Sequence, residues 1–495
     1  MSQPGLTLLQ GAIFVQPGGP NSDVQYLGAC HQLTSVSWDE GSNTLHHCGD
    51  PVQPNRFQVS RKIKGPPGLV TFNIESDVQA VISYIQRFRC PAPVIVTNTV
   101  RAPKNDPTNW DVAWIFVNAD PISRAYDNLV GKSENDLIMR TTGMEADSLI
   151  ELYPVRPDRV SIAETQALRA VFACDFDLCA DAGVQRQDRC DTLYAVADAV
   201  SGSASGTAGV WKFADNQWTQ LDSDPFEQDE DIAAGTCFIL DRFTKRILVL
   251  RGAADPSNPA ECAFSDDDGA TWGYANIGTV NGEYVTNGHA LAALDRNHIW
   301  VGTNLGRIYF SGNGGESWTL QENAVITSAP WHWVEMIDNL NGYAGGQGDV
   351  IATTSDGGIS WSQVNSTGAG DDILCGAVID SDRAWAGTDG GEVYYTFDGG
   401  ASWRQRAGWA GSGVGEVRSM AFYGDQIGYM AVEDNMGKAS FYLTKSGGAD
   451  WETIPTPANS GVNHLMICNP MLIYAVGDAH GGTALVYKLQ PAQAG

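Results

Sequence analysis

SDDDGATW (265–272), SGNGGESW (311–318), TSDGGISW (354–361), TFDGGASW (396–403) and TKSGGADW (444–451) are five versions of one eight-residue box. Each opens on a hydroxyl, carries Asp, Asn or Ser two residues later, then Gly, and ends on Trp three residues after that Gly. The five Trp, at 272, 318, 361, 403 and 451, are spaced by 46, 43, 42 and 48 residues. That period is the length of one four-stranded propeller blade. Asp267, Asn313, Asp356 and Asp398 are expected to accept a backbone N–H two residues on and so fold an Asx-type turn. Gly269, Gly315, Gly358, Gly400 and Gly448 supply the positive φ that a tight hairpin needs. Trp272, Trp318, Trp361, Trp403 and Trp451 then return on the next strand and bury a large ring between neighbouring blades. The pattern speaks for the fold and carries no catalytic chemistry of its own.

The sequence on either side of the boxes repeats too. ALAALDRNHIWVGTNLGRIYFS (290–311) reads as three strands separated by two turns, and the segments before the boxes at 354, 396 and 444 follow the same plan. CFILDRFTKRILVLRGAADPSNPAECAFS (237–265) does so with a longer loop. An earlier, degenerate unit joins AVFACDF, TLYAVADAV and GVWKFADNQWTQL, where Asp215 and Trp218 keep part of the box. The last unit, LMICNPMLIYAVGDAHGGTALVYKL (465–489), has three strands before the sequence stops. Residues near 161–165 are the natural donor of its fourth, which would remove the open edges. The count is seven blades over 155–495, closed by strand exchange, with six or eight as alternatives.

These boxes resemble the Asp-box, or bacterial neuraminidase repeat, of sialidases, sortilin-type receptors and photosystem II stability factor-like propellers. Asn313, and Ser446 with Asp450, depart from that pattern. A sialidase would hold its substrate carboxylate with three Arg, the first in a Phe/Tyr-Arg-Ile/Leu-Pro motif. That motif is missing, and the nearest string is YPVRP around Arg156. Arg296 and Arg383 fall in turn sequences, Arg307 starts a middle strand, and Arg418 alone is placed for an inner strand. No catalytic residue is assigned, and the chain is expected not to be an enzyme.

Residues 1–154 carry no box. LVTFNIE (69–75), PVIVTNTV (93–100) and DVAWIFVNA (111–119) read as strands, as do RFQVSRKIKG (56–65), LIMRTTG (137–143) and DSLIELY (147–153). Val78, Val81, Ile82 and Ile85 in DVQAVISYIQRF sit at helical spacing. The expectation is a mainly β chain: an N-terminal β-sandwich with one helix, then the seven-bladed propeller. NRFQVSRKIKGPPGLVTFNIES, CPAPVIVTNT, WIFVNADPIS and AYDNLV resemble, in order and wording, a phage tail-tube protein. That resemblance implies rings of subunits, commonly hexameric, stacked into a conduit. DNA would pass through without being read, and a C-terminal domain would decorate the outside. It implies other tail proteins as partners and a virion protein made in the host cytoplasm.

Charge agrees with a protein that does not read nucleic acid. Of the net −28, residues 1–150 hold 11 Lys/Arg against 14 Asp/Glu, a net −3, and the remainder holds −25. Such an acidic surface repels phosphate backbones. No stretch approaches the ~18 apolar residues of a membrane helix, and the first residues lack the basic start of a signal peptide. The ten Cys form no compact disulfide framework; Cys174, Cys179 and Cys190 are the one close cluster, and a reducing compartment is expected.

Other chemistry is thin. Cys30–His31 and His46–His47–Cys48 have zinc-ligand types at no standard zinc spacing, so no metal is assigned. SDDDG (265–269) lacks the remaining ligands of a calcium loop. SGSASGTAG (201–209) has no phosphate-binding context. No cofactor is expected. Trp331, Trp333 and Trp409 are candidates to stack on sugar rings, although Trp331 and Trp333 also suit an interblade core. The functional expectation is a structural tail-tube subunit bearing an outward propeller. Its rival is a carbohydrate-binding or adhesion protein for host-surface glycans.

Overall fold

The computed structural model describes residues 6–16, 23–38, 70–76, 92–98, 112–125, 140–146, 148–162, 166–173, 192–198, 209–214, 217–221, 225–226, 231–240, 244–252, 257–321, 329–406, 415–455, 461–480 and 483–491. Every regular element among them is a strand. The chain divides into two compact units. The first gathers Met1–Val155 with Thr444–Glu452 and Pro491–Gly495, and the second holds Arg156–Leu443 with Thr453–Gln490.

The first unit contains β1 (Leu6–Val15), β2 (Gln25–Trp38), β3 (Val70–Ser76), β4 (Ala92–Asn98), β5 (Val112–Ala125), β6 (Arg140–Ala146) and β7 (Ser148–Leu152). They form one sheet in the order β4-β1-β2-β3-β6-β5-β7, and β4 also pairs with β5. This corrects the expected two-layer sandwich: among the described residues, one sheet closes on itself through β4–β5. Length makes closure possible. The fourteen-residue β5 offers Val112–Ala119 to β4 and Asp120–Ala125 to β6. Ile13, Phe14 and Val15 on β1, like Val94, Ile95 and Val96 on β4, are buried in succession, so both faces are covered there. The helix expected over 77–88, and the strand over 56–65, lie outside the described residues.

From β8 (Val155–Ile162) onward, the described residues form seven four-stranded sheets that resemble propeller blades. The first is β9 (Leu168–Ala173), β10 (Leu193–Ala197), β11 (Val210–Ala214) and β12 (Gln217–Gln220), paired in sequence order. The seventh takes three strands from His464–Asn469, Leu472–His480 and Thr483–Pro491. Its fourth is β8, a little earlier in the chain than residues 161–165. First strands of successive sheets pack against one another around a circle, with His464–Asn469 returning to β9, so they surround a central axis.

Burial peaks at the second strand of each sheet and falls outward from there. Second strands such as β10, Gly342–Gly346 and Ala384–Thr388 are buried at nearly every residue, whereas the fourth strands at Ser362–Gln363 and Arg404–Gln405 are exposed. The layers between sheets are apolar: Trp300, Trp331 and Trp361 share one between the third and fourth sheets. Cys237, on the first strand of the second sheet, and Cys468, on that of the seventh, each take part in a disulfide.

Candidate functional site

Each box joins the third and fourth strands of its sheet. Its first hydroxyl accepts the N–H of the Gly four residues on, at 2.8 Å for Ser265–Gly269, 3.0 Å for Ser311–Gly315, 2.9 Å for Thr354–Gly358, 3.0 Å for Thr396–Gly400 and 2.8 Å for Thr444–Gly448. The third residue reaches four positions on: Asp267, Asn313, Asp356 and Asp398 accept the N–H of Thr271, Ser317, Ser360 and Ser402 at 2.8–3.0 Å. This corrects the two-residue Asx reach expected from sequence. It is the opening hydroxyl that faces the N–H two positions on, as Thr396 does that of Asp398 at 3.3 Å.

The turn has positive φ at two successive residues, 77° and 83° at Gly357 and Gly358. Two left-handed residues match the twist of a tight hairpin. In the first box Asp268 takes the leading position at φ 62°, and its carboxylate is held by the Tyr194 hydroxyl at 2.6 Å, by Lys212 and by Lys245.

The tips dock on the second strand of the preceding sheet. Trp300 Nε1 donates to Gly357 O at 2.9 Å, and Arg246 reaches Gly314 O at 3.3 Å and Glu316 at 2.8 Å. Trp361 and Trp451 are buried, while Trp272, Trp318 and Trp403 are half-buried. Asp266 pairs with Arg246 at 2.6 Å, so all three carboxylates of SDDDG already have protein partners. The boxes are structural rivets. Hydrogen bonds from Thr271 and Ser265 hold the Asp267 carboxyl down to about 2.

A second constellation surrounds the axis. Arg169, His332 and Arg418 are each the extra residue of a β-bulge in the first strand of a sheet. Bulges re-aim a side chain out of the ladder. Arg169 grips Asp198 at 2.7 and 2.5 Å; Arg418 pairs with Glu416 at 2.8 Å and Glu433 at 3.2 Å. Gly461 lets two carboxylates converge, since a Cβ there would lie 2.6 Å from Glu433 Oε2 and 2.9 Å from Asp478 Oδ2. Burial raises the Asp198 and Glu433 carboxyls, partly offset by their Arg partners, and Asp478 raises both further. Sequence placed Arg418 on an inner strand, but periodicity missed Arg169 and His332, because a bulge breaks the alternation it relies on.

Deeper on the axis, His289 and His464 stack with centroids 4.7 Å apart. Val285 bridges Thr303 while the Gly302 N–H donates to Ala290 O, so residues 286–289 leave the ladder and carry His289 inward. Burial lowers both imidazoles, His289 to about 4, and both are neutral at pH 7.

The sequence-derived candidates separate. Arg383 pairs with Asp380 and Asp425, and Arg307 with Glu283, in different sheets; Arg296 is exposed in a turn. With Arg418 on the axis, these four do not converge into an anion clamp. Trp331 and Trp333 are 1% and 2% exposed, so neither presents a sugar platform. Trp409, His46, His47 and Cys48 lie outside the described residues. Among the described residues no three His, Cys, Asp or Glu are grouped to hold a metal, and no helix is long and apolar enough to cross a membrane.

A recess of about 240 Å³ opens between the boxes of the fourth and fifth sheets. Its wall is rich in hydroxyls, among them Tyr343, Thr354, Ser355, Ser360 and Ser381, with Asn341, and no charged side chain lines it.

No family model matches the chain, and no curated protein matches it. Solved structures do. A GH74 xyloglucanase from Xanthomonas campestris is similar at TM-score 0.50 and 14% identity, over 68% of this chain and 54% of that one. YCF48 from Cyanidioschyzon merolae gives 0.49 and 16%, over 67% and 98%. YCF48 bound to D1 peptide gives 0.49 and 13%, over 68% and 96%. At these identities the likeness shows the fold alone, a β-propeller.

Proposed function

We propose that this is a non-enzymatic structural protein of a virion tail. Residues 1–154 form a tail-tube-like module that assembles into stacked rings. Residues 155–495 form a seven-bladed Asp-box propeller displayed outward. The observation that carries this reading is the contrast between the two parts. The first has a closed, low-charge sheet with net −3 over residues 1–150. The rest holds −25, which favours solubility over self-association. Rings, commonly hexameric in the family it resembles, would pass DNA without contact to its bases and bind other tail proteins at their ends. Repulsion between propellers is screened within about 10 Å at 0.1 M salt, so added salt should promote stacking. Negative-stain microscopy of the purified full chain across ionic strengths tests this. Rings or tubes that multiply with salt support the reading, and a monodisperse monomer at every salt concentration refutes it.

A second reading, a carbohydrate-binding or adhesion protein, is favoured by the uncharged, hydroxyl-lined recess between the fourth and fifth sheets. The two readings are compatible if the displayed propeller is the adhesive part.

A further inference from the structure

The recess between the fourth and fifth sheets has spent its fixed donors and kept its acceptors. Tyr343 gives its hydroxyl proton to Ser381 O at 2.8 Å. Thr354 and Ser360 give theirs to the Asp356 carboxylate, at 2.9 and 2.5 Å. Asn341 spends its amide N–H groups on Asp338, at 2.9 and 3.2 Å from the two oxygens. What Tyr343, Ser360 and Asn341 have left for a guest is oxygen lone pairs. The other lining hydroxyls accept as readily as they donate. These bonds hold the lining in place, so binding needs little reordering.

Electrostatics favours the same kind of guest. Asp338 holds Asn341, Asp356 holds Ser360, Asp380 and Asp382 bracket Ser381, and Asp398 precedes Gly399, all of them next to lining residues. Arg383 pairs with Asp380 and Arg404 acts on Asp398, whereas Asp338, Asp356 and Asp382 form no ion pair among the described residues. Burial raises the Tyr343 phenol, and Asp382, Asp380 and Asp398 raise it further, so their field reaches the lining. No carboxylate lines the recess itself. Calcium and magnesium draw carboxylates as direct ligands and so fit it poorly. A primary ammonium brings three donors and no acceptor, which neutral oxygens satisfy. Ile337 in the wall covers part of its methylene stem.

We propose that this recess binds a primary alkylammonium group, carried by a lysine side chain or by a free polyamine. It rests on the adhesion reading, with a cationic ligand in place of a glycan, and is independent of tube formation. Saturation-transfer NMR on the full chain in phosphate buffer tests it, with butylamine, butyltrimethylammonium, butanol and lactose as probes. Butylamine should bind about tenfold more tightly than butyltrimethylammonium, which keeps the charge and lacks the N–H donors. Butanol should not bind, and added salt should weaken butylamine. Asp382 is exposed, so Asp382→Asn should weaken butylamine binding and Asp382→Lys abolish it, both with melting temperature retained. The tighter of Nα-acetyl-lysine amide and putrescine identifies the source of the amine. The proposal falls if butylamine does not bind, if butyltrimethylammonium or butanol matches it, or if Asp382→Lys binds as the parent chain does. Transfer to lactose without butylamine binding would overturn it and leave the adhesion reading standing, whereas transfer to neither would remove both. Tube yield, measured on the same samples, reports separately on the tail-tube reading.

Discussion

The third box and the fifth box share one backbone and differ in chemistry. Both place a hydroxyl on the Gly N–H, at 2.9 Å for Thr354 and 2.8 Å for Thr444, and both turn through two glycines of positive φ. The third box is largely open to solvent and uses Asp356 to accept Ser360 N at 2.9 Å. The fifth is closed off, with Ser446 3% and Ala449 1% exposed, and Ser446 Oγ accepts Asp450 N at 3.0 Å. Inside the first unit, buried Gln16 donates to Ser446 O at 2.7 Å. A buried carboxylate without a cation would be costly, whereas a hydroxyl makes the same bond uncharged. The hydroxyl–glycine bond is therefore the constant of the turn, and the carboxylate is an option for wet sites.

Five substitutions and a pH titration, the latter with a His464→Phe control, would break or sharpen that comparison. The largest effect is expected from Trp361→Ala, which opens a cavity in the layer it shares with Trp300 and Trp331. It should cost about 3–5 kcal/mol, and Trp318→Ala, at a half-buried ring, distinctly less; calorimetric melting of the two gives the difference. Ser446→Asp should cost about 3 kcal/mol, the low end for an uncompensated buried charge. Unchanged melting would show that the fifth box is wet in solution.

Thr354→Ala should cost about 1–3 kcal/mol, because the Gly358 N–H loses its acceptor. Asp356→Asn should stay within about 0.5 kcal/mol, since Asn313 already serves the second box with the same bond. A larger loss in urea unfolding would mean that the charge itself matters.

Acid gives the remaining handle. His289 and His464 are lowered in the fold, so the unfolded chain binds protons first as pH falls below about 6.5. Stability should drop from there down to about pH 4, by at most about 1.4 kcal/mol per pH unit for each imidazole. His464→Phe should flatten that slope. The Asp267 carboxyl, held down to about 2, behaves differently: its contribution is complete above about pH 4 and is lost as pH falls towards 2. Melting curves between pH 2 and 7 separate the two phases, and a slope unaffected by His464→Phe would remove the imidazole pair from the account.

The sequence alone determined the unit of construction. A hydroxyl, a short polar acceptor, a left-handed Gly and a Trp are local chemistry, acting over eight residues and readable wherever they recur. Strand plans such as those around 290–311 and 237–265 were legible for the same reason, because apolar runs and turn residues report on their own neighbourhood.

Long-range geometry was not legible. The closure of the first sheet through β4–β5 and the stacking of His289 on His464 join residues far apart in the chain. Arg169 and His332 were hidden for another reason, since each is the odd residue of a bulge and obeys no period. Only the assembled ring decides which side chains face its axis and which hydroxyls of two neighbouring sheets enclose a recess.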